Sequence, residues 1–184
     1  MLQTLNRHSE AVDTYRKYLH DVPHGPTADI AWCNLANSLR QLKDDGGAEL
    51  AYRQAIAGNP KRGPHYANFF RLLHSQKRYD EARAIVDQGR RCAVEPAMVH
   101  RLLEDKSLLF AEQMKGAEAL RYADMAIERG AEGARVHYLR GRASALLGRL
   151  DDARPEMLRV LQLDASNADG LRALAMIDDA RGSV

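Results

Sequence analysis

Little in this chain invites covalent chemistry. Cysteine is scarce, with only Cys33 and Cys92, too few for a disulfide framework, so the expected compartment is reduced and cytoplasmic. No apolar run approaches the roughly 18 residues of a membrane span, so no membrane insertion is expected. The opening "MLQTLNRHSEAV" has no basic segment leading into an apolar core, and no secretory leader is expected. There is no glycine-rich phosphate loop. His20 and His24 stand four apart, but Pro23 breaks any helix that would align them, so no metal is expected. No nucleophile, base and orienting group stand out together; the chain reads as no enzyme, with no cofactor. Lysine is sparse as well: Lys17, Lys43, Lys61, Lys77, Lys106 and Lys115 are outnumbered by arginine, while the net charge is only +2. Arginine's bidentate fork suits carboxylates and phosphates alike, and a GC-rich genome gives the same bias.

The chain does have periodicity. Hydrophobic residues at 45% and charged residues at 28% over 184 positions fit one soluble domain with a sizeable core. The segments "SEAVDTYRKYL", "GAELAYRQAI", "DEARAIVDQG", "AEALRYADMAI" and "DDARPEMLRVL" align on Ala11, Ala48, Ala82, Ala119 and Ala153, at intervals of 37, 34, 37 and 34 residues. Four positions on come the core-facing Tyr15, Tyr52, Val86, Ala123 and Met157. Ahead of the last four alanines lies a second amphipathic stretch, expected as helices near 28–41, 64–76, 98–113 and 134–147, with a last one near 168–180. "KDDGG", "SQKRYD", "MKG" and "LGRLD" supply the turns between partners. The small alanines allow paired helices to cross closely. Three extra residues in "PHGPTAD" and in "VEPAM" account for the longer intervals. Lys106 falls where an apolar residue is expected, and Pro155 is tolerated in a first turn only if its helix begins at Asp151.

Trp32, Leu35, Ala36, Leu39, Ala48, Tyr52, Ala55, Ile56 and Pro60 fit a W-x2-L-G-x2-Y…A-x3-F…P pattern. With its returns, this resembles the tetratricopeptide repeat family. The resemblance implies an all-α, right-handed α-solenoid of antiparallel helix pairs in a single domain over 1–184. It would comprise a partial repeat at 1–24, repeats at about 28–61, 62–96, 98–132 and 134–167, and a capping helix at 168–182. The helix around Ala11–Leu19 then lacks a partner; either upstream sequence or another chain would cover it, so self-association there is an expectation.

In such an array the first helices of successive pairs line a concave groove. Asn34 precedes Leu35–Ala36, and Asn68 precedes Phe69–Phe70 one repeat later. Asn37 and Arg71 are equivalent, as are Arg40 and His74, and Gln41 continues the row. A carboxamide both donates and accepts hydrogen bonds, so a spaced row can hold a peptide backbone regardless of its sequence, and arginines add contacts to acidic groups. "AWCNLANSLRQL" is also similar to repeats of the O-linked N-acetylglucosamine transferase superhelix, whose asparagine ladder holds peptide backbone; the resemblance implies that role for Asn34 and Asn68. Asp105 and Leu139 end the ladder. Asn37, Asn68 and Arg101 match the carboxylate clamp of chaperone-binding relatives in type, but Cys33 and Asp105 replace its basic residues, so that clamp is not expected. Cys33 is expected on the groove. Glu104, Asp105 and Glu112 make its middle acidic, and Arg135, Tyr138 and Arg142 return positive charge with an aromatic handle.

The function read from these residues is a non-catalytic interaction scaffold that binds a peptide segment of a protein partner in its groove. Two readings stand beside it: the N-terminal interaction part of a larger bacterial sulfotransferase or glycosyltransferase, and an RNA-binding helical repeat. The near-neutral charge argues against nucleic acid as the partner.

Overall fold

The computed structural model describes residues 2–92 and 96–182. Ten α-helices fill them, and no strand occurs among the described residues. Contacts divide the chain into two compact units, Met1–Glu95 and Pro96–Val184. The first holds α1 (Leu2–Asp21), α2 (Ala28–Gln41), α3 (Asp45–Gly58), α4 (Gly63–Ser75) and α5 (Tyr79–Cys92). Here α2 pairs with α3 and α4 with α5; α2 also touches α4, and α1 packs on α2. The second holds α6 (Pro96–Glu112), α7 (Gly116–Glu128), α8 (Ala134–Leu146), α9 (Leu150–Leu163) and α10 (Ala168–Gly182). Its pairs are α6 with α7 and α8 with α9, while α8 also touches α6 and α10. The expected class, all-α helix pairs in a repeating array, is the fold of each unit.

One turn closes every pair. Lys43, Lys77, Met114 and Gly148 occupy equivalent positions and all have positive φ, at 66°, 59°, 59° and 71°. In the first, Lys43 N–H donates to the Arg40 carbonyl and Asp44 N–H to that of Leu39. This is the Schellman pairing that satisfies the last carbonyls of a helix. The five-residue bond recurs from Arg78 to Leu73, Lys115 to Phe110 and Arg149 to Ser144. The same register therefore runs through the third pair, where Lys106 had weakened the pattern. "PHGPTAD" supplies the α1–α2 connection; of "VEPAM", residues 94 and 95 lie outside the described residues.

Between paired helices sit Ala48, Ala82, Ala119 and Ala153, each fully buried. Their small side chains permit close crossing, and around them Tyr52, Phe69, Val86 and Met157 fill the space. Tyr52 and Phe69 stack at 5.7 Å between α3 and α4. At Gly141 an added Cβ would lie 2.5 Å from the Met157 methyl and 3.1 Å from the Ala153 carbonyl, so α8 needs glycine where α9 crosses it. In α1 the equivalents of Ala48 and Tyr52, namely Ala11 and Tyr15, are only half-buried. Pro155 is the sixth residue of α9, which starts at Leu150, and so lies beyond its first turn; lacking an N–H, it leaves the Asp151 carbonyl without its helical donor.

Cations occupy two slots where the first pair uses Leu35. Lys106 is buried with its ammonium 4.5 Å from the centre of the Tyr122 ring, a cation–π contact. Arg140 pairs with Asp124 at 2.8 Å and Glu156 at 2.7 Å. Lys106 keeps its stem in the core, Arg140 is half-buried, and both place their charge on a partner from a neighbouring helix.

Candidate functional site

In the first unit, α2 and α4 lie side by side and carry Asn34, Asn37, Arg40, Gln41, Asn68, Arg71 and His74. Asn34, Asn37 and Gln41 are spaced three and four apart, so they share a helix face. Asn34 is half-buried, and its amide makes no hydrogen bond among the described residues. Gln41 is exposed.

Asn37 is engaged. Its Oδ1 accepts from the Tyr52 hydroxyl at 2.6 Å. Burial pushes the Tyr52 pKa up to about 12, against the opposing charges of Arg40 and Arg71, so the hydroxyl stays protonated and keeps donating. Arg40 reaches the same neighbourhood, with its Nε buried and without a hydrogen-bond partner among the described residues.

Asn68 is engaged too. Its Nδ2 donates to Cys33 Sγ at 3.4 Å, and its Oδ1 accepts from Arg71 at 3.4 Å. Cys33 was expected on the groove; it is buried at 5% exposure, because α4 covers it and Asn68 lies over it. Burial raises its thiol pKa, with the Asn68 hydrogen bond opposing, so it is no nucleophile at neutral pH. The His74 ring sits 5.3 Å from that of Phe70 and 6.2 Å from that of Tyr79.

In the second unit, Arg135 donates to Glu104 at 2.9 Å and to Asp105 at 2.6 Å. Both carboxylates are buried, and burial raises the Glu104 pKa despite Arg135. Of the acidity expected in mid-groove, Glu104 and Asp105 are therefore folded inward, and Arg135 spends its charge on them, while Glu112 is half-buried. Arg101 is half-buried, with Nε lacking a partner among the described residues. Tyr138 and Arg142 flank an open cavity of about 360 Å³ between α8, α9 and α10.

Sequence reasoning missed a buried cluster that ties α2 to α4. Asp29 accepts from Arg62 Nε at 2.8 Å and lies 3.0 Å from His65 Nε2. Nothing in the repeat pattern marks it, since Asp29 lies more than thirty residues from both Arg62 and His65. It also missed the apolar side of the 360 Å³ cavity, where Met157 read simply as a core position and Ile177 was not singled out.

Among the described residues there is no group of three or more side chains placed to hold a metal ion, and no helix long and apolar enough to cross a membrane. No curated protein matches the sequence. Solved structures do. YrrB, described as a TPR protein with an unusual peptide-binding site, is 18% identical over 93% of this chain and 85% of its own, with a TM-score of 0.69. PilF of Pseudomonas aeruginosa is 21% identical over 95% and 87%, at 0.72. A tetratricopeptide repeat protein of Parabacteroides merdae is 15% identical over 95% and 67%, at 0.78. At such identities the likeness is one of fold. The tetratricopeptide repeat profile itself matches residues 2–64 and 105–168, more than half of the sequence. With the Schellman-closed helix pairs and the buried alanine at each crossing, these matches make the chain a member of the tetratricopeptide repeat family.

Proposed function

We propose that the protein is a non-catalytic interaction scaffold and that the face shared by α2 and α4 holds an extended segment of a protein partner. The observation that carries this reading is the pairing of Asn34 and Asn68 at equivalent turns of two helices in direct contact, with the Asn34 amide unengaged among the described residues. Packed helix axes stand about 8–10 Å apart, and an extended chain rises about 3.3 Å per residue. Two amides so placed match backbone groups about three residues apart. Such contacts ignore side-chain identity, as the resemblance to the asparagine ladder of the O-linked N-acetylglucosamine transferase superhelix also suggests. Arg40 and Arg71 add positive charge beside the row and favour a segment with acidic side chains. The peptide-binding site named for YrrB is in keeping with this use of the fold.

The test begins with partners captured by the full chain and identified by mass spectrometry. Replacing Asn34 and Asn68 together by alanine removes two neutral hydrogen bonds, about 1 kcal/mol each. The expected result is a roughly 30-fold weaker complex, with a modest fall in melting temperature from loss of the Asn68 contacts to Cys33 and Arg71. An unaltered affinity would remove the amide row from the function.

A further inference from the structure

The cavity between α8, α9 and α10 has a composition that specifies a ligand. Apart from Tyr138 and Arg142, every side chain lining it is apolar. Met157 and Ile177 are buried at its base, while Met176 is 67% exposed on α10. An exposed methionine beside an apolar hollow is an adaptable wall for a variable side chain. A void of about 150 Å³ suffices for a benzene ring, so 360 Å³ takes one bulky apolar side chain and part of its backbone.

Arg142 supplies the second half. Among the described residues no acidic side chain lines the cavity, and Arg142 makes no ion pair. Its surroundings contrast with those of Arg135 and Arg140 on the same helix, which each hold two carboxylates. The α8 helix thus spends two guanidinium groups internally and leaves the third over an apolar hollow. The Tyr138 hydroxyl likewise makes no hydrogen bond among the described residues and can donate to the same anion.

We infer that this cavity seats a bulky apolar residue of a partner segment whose immediate neighbour is acidic, the apolar side chain entering against Met157 and Ile177 and the carboxylate meeting Arg142. The inference rests on the scaffold reading above, and it names a feature of the partner that the amide row, being indifferent to sequence, leaves open.

The methionine methyl groups are the probe. The full chain, labelled with ¹³C at the methionine methyls, is titrated with the blocked dipeptide amides acetyl-Phe-Asp-NH₂ and acetyl-Phe-Asn-NH₂. The acidic peptide is expected to shift the Met157 and Met176 signals, leaving that of Met114 still. The asparagine peptide, and the acidic peptide on Arg142→Met, are expected to bind about fivefold more weakly, as loss of one part-exposed charge contact implies. Ala173→Leu, which narrows the cavity from α10, is expected to abolish the shifts with either peptide. No shift in the wild type, or equal affinity for the two peptides, overturns the inference. Shifts with acetyl-phenylalanine carboxylate but none with acetyl-Phe-Asp-NH₂ also overturn it, in favour of a chain terminus. Asn34→Ala/Asn68→Ala is expected to leave these shifts intact, so failure of the amide row and failure of the cavity are told apart.

Discussion

A left-handed backbone is costly for any residue with a Cβ, by roughly 1–2 kcal/mol, yet three of the four helix turns place Lys43, Lys77 or Met114 there. The Schellman bonds, and the packing of the helices they join, hold these residues in place. Met114 is 73% exposed, so its side chain contributes little packing. Met114→Gly is expected to stabilise the fold by about 0.5 kcal/mol: the strain relieved, less the freedom glycine adds to the unfolded chain. Gly148→Ala is expected to cost about 1 kcal/mol. Urea unfolding followed by circular dichroism measures both, and a destabilising Met114→Gly would mean that the turn does not strain its residue. The sequence marks these turns, but not the residue that bends. In "KDDGG" the glycines draw attention, yet Gly46 and Gly47 lie inside α3 and Lys43 turns the chain.

At the scale of helices, the Asp29–Arg62–His65 cluster fastens the start of α2 to the start of α4. Burial lowers the His65 pKa, and the pull of Asp29 only partly restores it. A neutral ring donates from Nε2 to Asp29, and Nδ1 is left buried without a partner among the described residues. Burial also acts to raise the Asp29 pKa, but the hydrogen bond from His65 and the charge of Arg62 outweigh it and hold the carboxyl below its ordinary value. Both folded pKa values are depressed, so each group's contribution is complete above its unfolded value and fades as pH falls through the folded one. For His65 the loss begins below about pH 6.5; for Asp29 it begins below about pH 3.9. The melting temperature reported by Trp32, the one tryptophan in the sequence, is expected to drop between pH 7 and pH 5. In His65→Gln that drop is expected to flatten, and an unchanged slope would clear the histidine of the effect. Helix pairing was legible because alanine returns every 34 or 37 residues. The burial of Cys33 and Lys106 and the pairing of Arg140 were not, since each depends on a partner from another helix: Asn68, Tyr122, and Asp124 with Glu156. Apolar periodicity says which face is core; it does not say which polar residues that face can satisfy.

Over the described residues, many of the arginines hold carboxylates of the same chain. Arg53 and Arg78 hold Glu49, Arg62 holds Asp29, Arg135 and Arg140 hold two carboxylates each, and Arg154 and Arg181 hold Asp178 and Asp151. The exposed pairs among them add little stability, but every pair cancels a charge that a phosphate backbone would otherwise find. Nucleic-acid binding draws on many uncompensated cations releasing counterions together, and a net charge of +2 offers few. A peptide groove needs only isolated cations beside hydrogen-bonding and apolar positions, and Arg40 and Arg142 fit that need better than a phosphate track. A single-stranded oligouridylate is therefore expected to bind more weakly than about 100 µM at physiological salt, the weak end of non-specific association. Fluorescence anisotropy across a salt series checks this. Micromolar binding that collapses steeply with added salt would restore the RNA reading and set the peptide groove aside.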